Sequence, residues 1–269
     1  MDKIGLIAGN RSFPVLFVEE AVRRGVTVSA VCIKGETDPR VVRLVGKERC
    51  LWVSLGEFTR GFDFLKQQQV SQVVMCGQIS PYRLFSREVR ESPSIQELLS
   101  SVSDKRANTI FAAISRLLEK QGFEILSSTT FLDAYVPAAG VMSRRQPTPD
   151  EQDNLRFAFT VAKAVAGLDI GLSVAVKSKA VIAVEALEGT DRLISRAGAL
   201  AGRKFVVAKV GRPGQDMRFD IPVIGLATMK VLARSGATCL AIEAGKTLFL
   251  DKKAALAYAD RKGLCLIAV

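Results

Sequence analysis

Short apolar runs ending in glycine alternate with amphipathic stretches along the first half of the chain. Residues 4–8 are apolar and stop at Gly9-Asn10-Arg11. Val15, Leu16, Val18, Ala21 and Val22 then recur at helical spacing over 13–24, and Pro14 suits a first helical turn. Residues 26–33 are rich in β-branched side chains and predict a strand. This strand–loop–helix–strand unit is how a doubly wound parallel sheet begins. Further on, 51–53 and 73–76 read as strands and 57–69 as an amphipathic helix. Residues 97–118 read as helix broken near 101–104, and 123–127 as a returning strand.

The periodicity fails over VPAAGVMSRRQPTPDE at 136–151, where prolines and glycine predict a boundary. Thr148-Pro149 then has the form of a helix start, an N-cap followed by proline at the first position. Helical spacing follows over 154–166. Residues 172–176 and 180–186 read as a strand pair around a turn at 177–179. Gly189-Thr190-Asp191 caps an expected helix at 192–199, and 205–210 is a strand leaving through Gly211-Arg212-Pro213-Gly214. Helices at 225–235 and 252–262, with strands at 239–243, 247–250 and 264–269, complete the pattern. The fold class expected is α/β. A Rossmann-like N-terminal domain with a parallel sheet spans 1–135, a linker spans 136–149, and a distinct C-terminal mixed α/β domain spans 150–269.

Composition narrows the setting. The chain has 269 residues, 48% of them hydrophobic, enough for a sizeable core. No run approaches the roughly 20 apolar residues of a spanning helix, and the N-terminus lacks a signal-peptide pattern. A cytoplasmic protein that does not span a membrane is expected. Cys32, Cys50, Cys76, Cys239 and Cys265 form no CxxC pair and are expected to be reduced. The net charge of +11 admits nucleic acid, an anionic membrane face or a phosphorylated substrate. The cations are scattered, and aromatics are only 7%, thin for single-strand stacking. Nucleic acid is therefore not an expected partner.

The candidate chemistry is set by the absence of histidine. A general base or metal site must come chiefly from carboxylates, and the stretch 184–246 collects them: Glu185, Glu188, Asp191, Asp216, Asp220 and Glu243. Lys209, Arg212, Arg218 and Lys246 are interleaved. Hard oxygen ligands suit Mg²⁺ or Mn²⁺, and cations beside them suit phosphate. Bland readings stand beside these. Asp191 could simply cap its helix, Glu185 could face solvent, and the cations could be solvated. In the first half, Gly9, Asn10, Arg11, Gly77 and Gln78 lie at strand ends, where open α/β sheets bind ligands. The glycines do not complete a G-x-G-x-x-G fingerprint, so a plain βα turn is the alternative.

EALEGTD at 185–191, KVGRPGQDMRFDIPVIG at 209–225 and AIEAGKTLFLD at 241–251, with GLIAGN at 5–10 and RRQPT at 144–148, resemble the LpxI-type UDP-2,3-diacylglucosamine pyrophosphatases of lipid A synthesis. The resemblance runs over the whole chain and is densest after residue 135. It implies divalent-cation-dependent cleavage of the substrate diphosphate to UMP and 2,3-diacylglucosamine 1-phosphate (lipid X), with water attacking the sugar-side phosphorus. It places the essential aspartate on Asp220, with Asp216 close enough to be the alternative. Asp220 and Asp191 are the catalytic expectations, and Asp220, Glu185 and Asp191 the Mg²⁺ (or Mn²⁺) ligands. Gly9, Asn10, Arg11, Gly77, Gln78, Thr190, Lys209, Gln215 and Lys246 are the substrate-binding expectations. Many family members have glycine where this chain has Arg11, and often an acidic pair where it has Asp104-Lys105. The expected partners are a lipid-linked nucleotide sugar, a transiently touched inner-membrane surface and a second copy in a homodimer. The rival function is a non-hydrolytic nucleotide- or dinucleotide-binding Rossmann protein.

Overall fold

A computed structural model describes residues 2–104, 106–219 and 221–269. The chain forms two compact units. The first runs to Asp133 and takes in the segment that starts at Asp216; the second comprises Ala134–Gln215 and Ile221–Val269.

In the first unit the order is β1 (Lys3–Ala8), α1 (Phe13–Arg23), β2 (Thr27–Ile33), α2 (Arg40–Val45), β3 (Cys50–Val53), α3 (Thr59–Gln67), β4 (Gln72–Cys76), α4 (Arg87–Glu91), α5 (Pro93–Ser100), α6 (Ala107–Lys120) and β5 (Glu124–Ile125). The strands form one parallel sheet in the order β3-β2-β1-β4-β5. Because helices cover both faces of such a sheet, β1 is an unbroken apolar run rather than an alternating one. The strand order reverses between β1 and β4, so their carboxyl ends border the crevice where doubly wound sheets take ligands. The short helices α2 and α4, and the first turn of α5 before residue 97, are not evident from periodicity. Two of them are set by caps: Ser86 Oγ accepts from Val89 N, and Ser92 Oγ from Ile95 N. The expected break near 101–104 is present between α5 and α6. Phe219 is buried in this unit's core with Phe62, Leu65 and Leu118, stacked on Phe111 at 5.7 Å between ring centroids.

The second unit contains β6 (Gly140–Val141), α7 (Pro149–Gly167), β7 (Ser173–Lys177), β8 (Ala180–Val184), α8 (Thr190–Ala201), β9 (Phe205–Lys209), β10 (Val223–Ile224), α9 (Leu226–Ser235), β11 (Ala237–Ile242), β12 (Leu248–Phe249), α10 (Lys252–Lys262) and β13 (Cys265–Ala268). Its main sheet is mixed, in the order β6-β13-β11-β9-β7-β8. β9, β11 and β13 are parallel; β6, β7 and β8 run antiparallel to their neighbours. Helix α7 covers one face, with Leu155, Ala158 and Ala162 against Val174 and Val206; α8, α9 and α10 cover the other, with Leu193, Ile194, Met229 and Ala255. Thr148 closes a full capping box with Glu151 at the start of α7, as its sequence form predicts. Ser178 and Lys179 both have positive φ, the geometry of a tight two-residue hairpin turn.

The stretch 136–149 is built into this unit. β6 pairs with β13, Ser143 Oγ accepts from Leu266 N at 2.9 Å, and Arg145 is bidentate with Glu151 at 2.7 and 2.9 Å. Proline and glycine mark the entry to a sheet edge here as well as a boundary. All five cysteines are free. Among the described residues no helix is long and apolar enough to cross a membrane.

Candidate active site

One end of the second unit's sheet gathers its polar chemistry. β9 and β11 finish there, antiparallel β7 starts there, and β8 finishes beside it. Ser173 pairs with Lys209 in register, and Glu185 N donates to Ser173 O. A hydrogen-bond chain links the side chains that this register brings together. Lys209 Nζ donates to Thr190 Oγ1 at 2.6 Å, and Thr190 Oγ1 donates to Glu185 Oε1 at 2.9 Å. Glu185 Oε2 accepts from Leu172 N at 3.2 Å. Glu185 and Lys209 are each only 8% exposed, so the carboxylate and the ammonium are both largely removed from water. Thr190 opens α8, whose first N–H groups and dipole favour an anion. Gly171 lies so close to the Glu185 backbone that a Cβ there would come within 2.1 Å of its carbonyl oxygen.

Beside this chain lies a second polar knot. Glu243 accepts from Gly211 N at 2.8 Å and from Lys163 Nζ at 3.0 and 3.1 Å, and Lys246 Nζ sits 2.8 Å from its other oxygen. Burial alone would raise the Glu243 carboxyl, but Lys246, Lys163 and the Gly211 amide hold it below its ordinary range. Arg212, the next residue, is ion-paired with Asp169, and its N donates to Gln215 Oε1 at 3.1 Å. The loop Gly211–Gln215 is therefore fixed by charge at its start and closed by the Arg212–Gln215 hydrogen bond.

In the first unit, Gly9 N donates to Cys76 O and Asn10 N to Gln78 O, both at 2.8 Å, at the carboxyl ends of β1 and β4. A Cβ on Gly9 would stand 2.5 Å from Gln78 O, and one on Gly77 2.6 Å from Asn10 O. Backbone-to-backbone approach thus accounts for both glycines without a ligand. Arg11 has φ 65°, the left-handed region that glycine adopts freely. That is a backbone reason for a glycine to suit this position better than an arginine. Asn10 Nδ2 donates to Glu36 Oε2 at 2.8 Å, which also accepts from Ser80 Oγ at 3.0 Å. Asn10 Oδ1 is buried without a hydrogen-bond partner, leaving an acceptor at the crevice. Periodicity gives no sign of Glu36 and Ser80, because both sit in irregular loops after strands.

The structure thus brings Glu185, Thr190 and Lys209 together, and sets Lys246 beside Glu243. Gln215 lies at the end of the Gly211 loop, and Gly9, Asn10, Gly77 and Gln78 meet in the other unit. Asp220 lies outside the described residues. Asp191 is the second residue of α8, whose N-cap is Gly189 with no side-chain cap. The acidic residues of 184–246 do not converge among the described residues. Glu188 pairs with Arg196 at 2.7 Å, Glu243 with lysines, and Asp216 with Arg218 at 2.8 Å in the first unit. The Arg218 guanidinium holds the Asp216 carboxyl low. No three histidine, cysteine, aspartate or glutamate side chains among the described residues could hold a metal ion. The donor set around Glu185, an ammonium and hydroxyls, matches a phosphate better than a bare cation.

Comparison with known proteins follows this two-unit division. Residues 3–135 match the LpxI N-terminal domain and residues 138–267 the LpxI C-terminal domain. The UDP-2,3-diacylglucosamine pyrophosphatase LpxI of Caulobacter vibrioides is 30% identical over 279 residues, spanning 100% of this chain and 98% of that protein. This chain belongs to the LpxI family. Among solved structures, the biotin carboxylase domain of Hydrogenobacter thermophilus 2-oxoglutarate carboxylase is 13% identical. It covers 75% of this chain and 41% of its own, with a TM-score of 0.30. The biotin carboxylase subunit of pyruvate carboxylase, also 13% identical, covers 75% and 42% with a TM-score of 0.25. Membership in the LpxI family rests on both domains in order, not on these partial overlaps.

Proposed function

We propose that this protein hydrolyses the diphosphate of UDP-2,3-diacylglucosamine, releasing UMP and 2,3-diacylglucosamine 1-phosphate for lipid A biosynthesis. The observation that carries this reading is the full-length match to a pyrophosphatase of that name. The geometry of the second unit supports it. Lys209, in no ion pair among the described residues, and the N-terminus of α8 offer positive charge to a phosphate group. Glu185 holds Thr190, and Thr190 in turn holds the ammonium, so the donor is placed before substrate arrives. Lys163 and Lys246 fix Glu243, and Glu243 fixes the Gly211 amide.

In the proposed step a water oxygen bonds to the sugar-side phosphorus as the bridging P–O bond breaks. The departing oxygen leaves on UMP, and the water proton passes to a carboxylate. In a chain without histidine we assign that role to Asp220, with Asp191 as the second candidate. Asn10, Glu36 and Ser80 form a further polar position assigned to substrate recognition, with Gly77 and Gln78 as its wall. A requirement for Mg²⁺ or Mn²⁺ belongs to the same proposal. When bound, such an ion neutralises phosphate charge and acidifies water. Transient contact with the inner membrane follows from a diacylated substrate.

The test is UMP release from UDP-2,3-diacylglucosamine, in ¹⁸O-water, with EDTA and with added Mg²⁺ or Mn²⁺. UMP should appear with metal, fall with EDTA, and leave the label on the sugar phosphate. No UMP under any metal condition overturns the assignment of activity. Label in UMP overturns the site of attack, and full activity in EDTA overturns the metal requirement.

A further inference from the structure

The end of the second unit's sheet opposite Lys209 and Glu243 carries a different set of charges. β9 begins there at Phe205 and β11 at Ala237. A cleft of about 380 Å³ opens at this end, with Arg203, Lys204, Arg234, Thr238, Tyr258 and Lys262 in its wall. All four cations are exposed. No aspartate or glutamate lines the cleft, and among the described residues none of the four is in an ion pair.

Helix dipoles are the first explanation to weigh. α8, α9 and α10 end at this face, at Gly202, Gly236 and Gly263. Each helix end carries roughly half a negative charge, so about 1.5 charges need an answer. Lys177 and Arg145 meet part of it, although Arg145 is itself bidentate with Glu151. Lys177 Nζ donates to Ala201 O at 2.8 Å and to Arg203 O at 2.9 Å. Arg145 donates to Gly263 O at 2.7 Å and to Thr238 O at 2.5 Å. The four cleft cations come in addition, and the face keeps a net positive charge.

We propose that this cleft is a docking site for the phosphate headgroups of an anionic bilayer. A single small anion calls for rigid, buried donors; here the donors are exposed heads on flexible stems, which suit an array of phosphates. Leu200, 66% exposed at the end of α8 and three residues before Arg203, adds an apolar side chain close to the charges. Tyr258 is half-buried, with the Arg261 guanidinium 5.8 Å from its ring centroid, the amphipathic kind of side chain that headgroup regions accept. The choice of a bilayer rests on the diacylated substrate proposed above; the charge excess of the cleft does not.

The test is co-sedimentation of the full chain with vesicles of phosphatidylglycerol and phosphatidylcholine, at 0.1 and 0.5 M salt. The variant is R203Q/K204Q/R234Q/K262Q, and its control is R43Q/K47Q/K66Q/K120Q, which removes the same charge from the first unit. Each cation near an anionic surface contributes about fivefold to partitioning. The cleft variant should lose about 600-fold, four such factors multiplied, the control less than about threefold, and high salt should release the wild type. Thermal melts check folding, and K204E/K262E provides a second variant. Hydrolysis of substrate dispersed in detergent should be unchanged in the cleft variant, so a failure of the activity assignment is read separately from vesicle binding. Equal losses in cleft variant and control reduce the effect to net charge and overturn the site. Cleft-dependent binding of inorganic pyrophosphate or of an oligonucleotide, without vesicle binding, overturns the bilayer as occupant.

Discussion

Replacing Lys209 with methionine separates charge from packing at the proposed active site. The ammonium is nearly buried, and it donates at 2.6 Å to a threonine hydroxyl rather than to a carboxylate. Methionine keeps most of the stem volume. The exchange loses one charged hydrogen bond, a net contribution of about 1.5–3 kcal/mol. It also removes the desolvation cost of a buried ammonium, which is of comparable size and opposite sign. Thr190 keeps its bond to Glu185 at 2.9 Å. Stability should therefore change by no more than about 1–2 kcal/mol, a few degrees in melting temperature for a unit of this size. A positive donor facing charge that develops on a phosphate in a dry site contributes about 10²–10³ in rate, or roughly 3–4 kcal/mol. Steady-state UMP release should fall by that factor in kcat/KM while the melt stays near wild type. Lys209→Arg should not rescue it, because the longer planar guanidinium does not fit beside Thr190 in the same space. Turnover within threefold of wild type would refute the reasoning. So would a loss of activity that merely tracks the unfolded fraction.

Asp220→Asn should lower turnover by about 10²–10⁴, the range for loss of a general base, without moving the melt; near-normal turnover would shift the role to Asp191 or Asp216. Gly77→Ala should destabilise the protein by roughly 3 kcal/mol in urea titration, since φ is +86° and the new Cβ would lie 2.6 Å from Asn10 O; a cost under about 1 kcal/mol would mean the crossing of β1 and β4 exits is not rigid. Burial would raise the Glu151 carboxyl, but the Arg145 guanidinium, Thr238 and the Thr148 amide hold it down at about 2. Its folded value lies below its unfolded one, so its stabilising contribution is complete above pH ~4.5 and is lost as pH falls towards 2. Glu151→Gln should be less stable at pH 7 and should lose less stability between pH 4.5 and 2, as read by acid titration of the helical signal; parallel curves would show that the pair is not coupled to folding.

The elements that the sequence determined are those governed by short-range physics. β1 and its exit, the α7 capping box at Thr148 and the hairpin at Ser178-Lys179 each depend on residues within a few positions of one another. Proline geometry, hydroxyl capping and apolar periodicity act at that range, and the α/β class follows from their order. Glycines at strand ends were legible as special positions, but not the reason: Gly9 and Gly77 serve the approach of two backbones that are far apart in sequence.

Tertiary structure decided the rest, because charge pairing and packing depend on distances that spacing along the chain does not encode. The acidic stretch 184–246 reads as one cluster, yet Glu188, Glu243 and Asp216 each end beside a different cation. Glu185 meets Lys209 through Thr190 only because β7 and β9 are antiparallel in a register that sets Ser173 against Lys209. Phe219, set in a loop of the second half, lies in the first unit's core, stacked on Phe111. An apolar ring is buried wherever the folded chain closes over it, whichever half of the sequence supplies it.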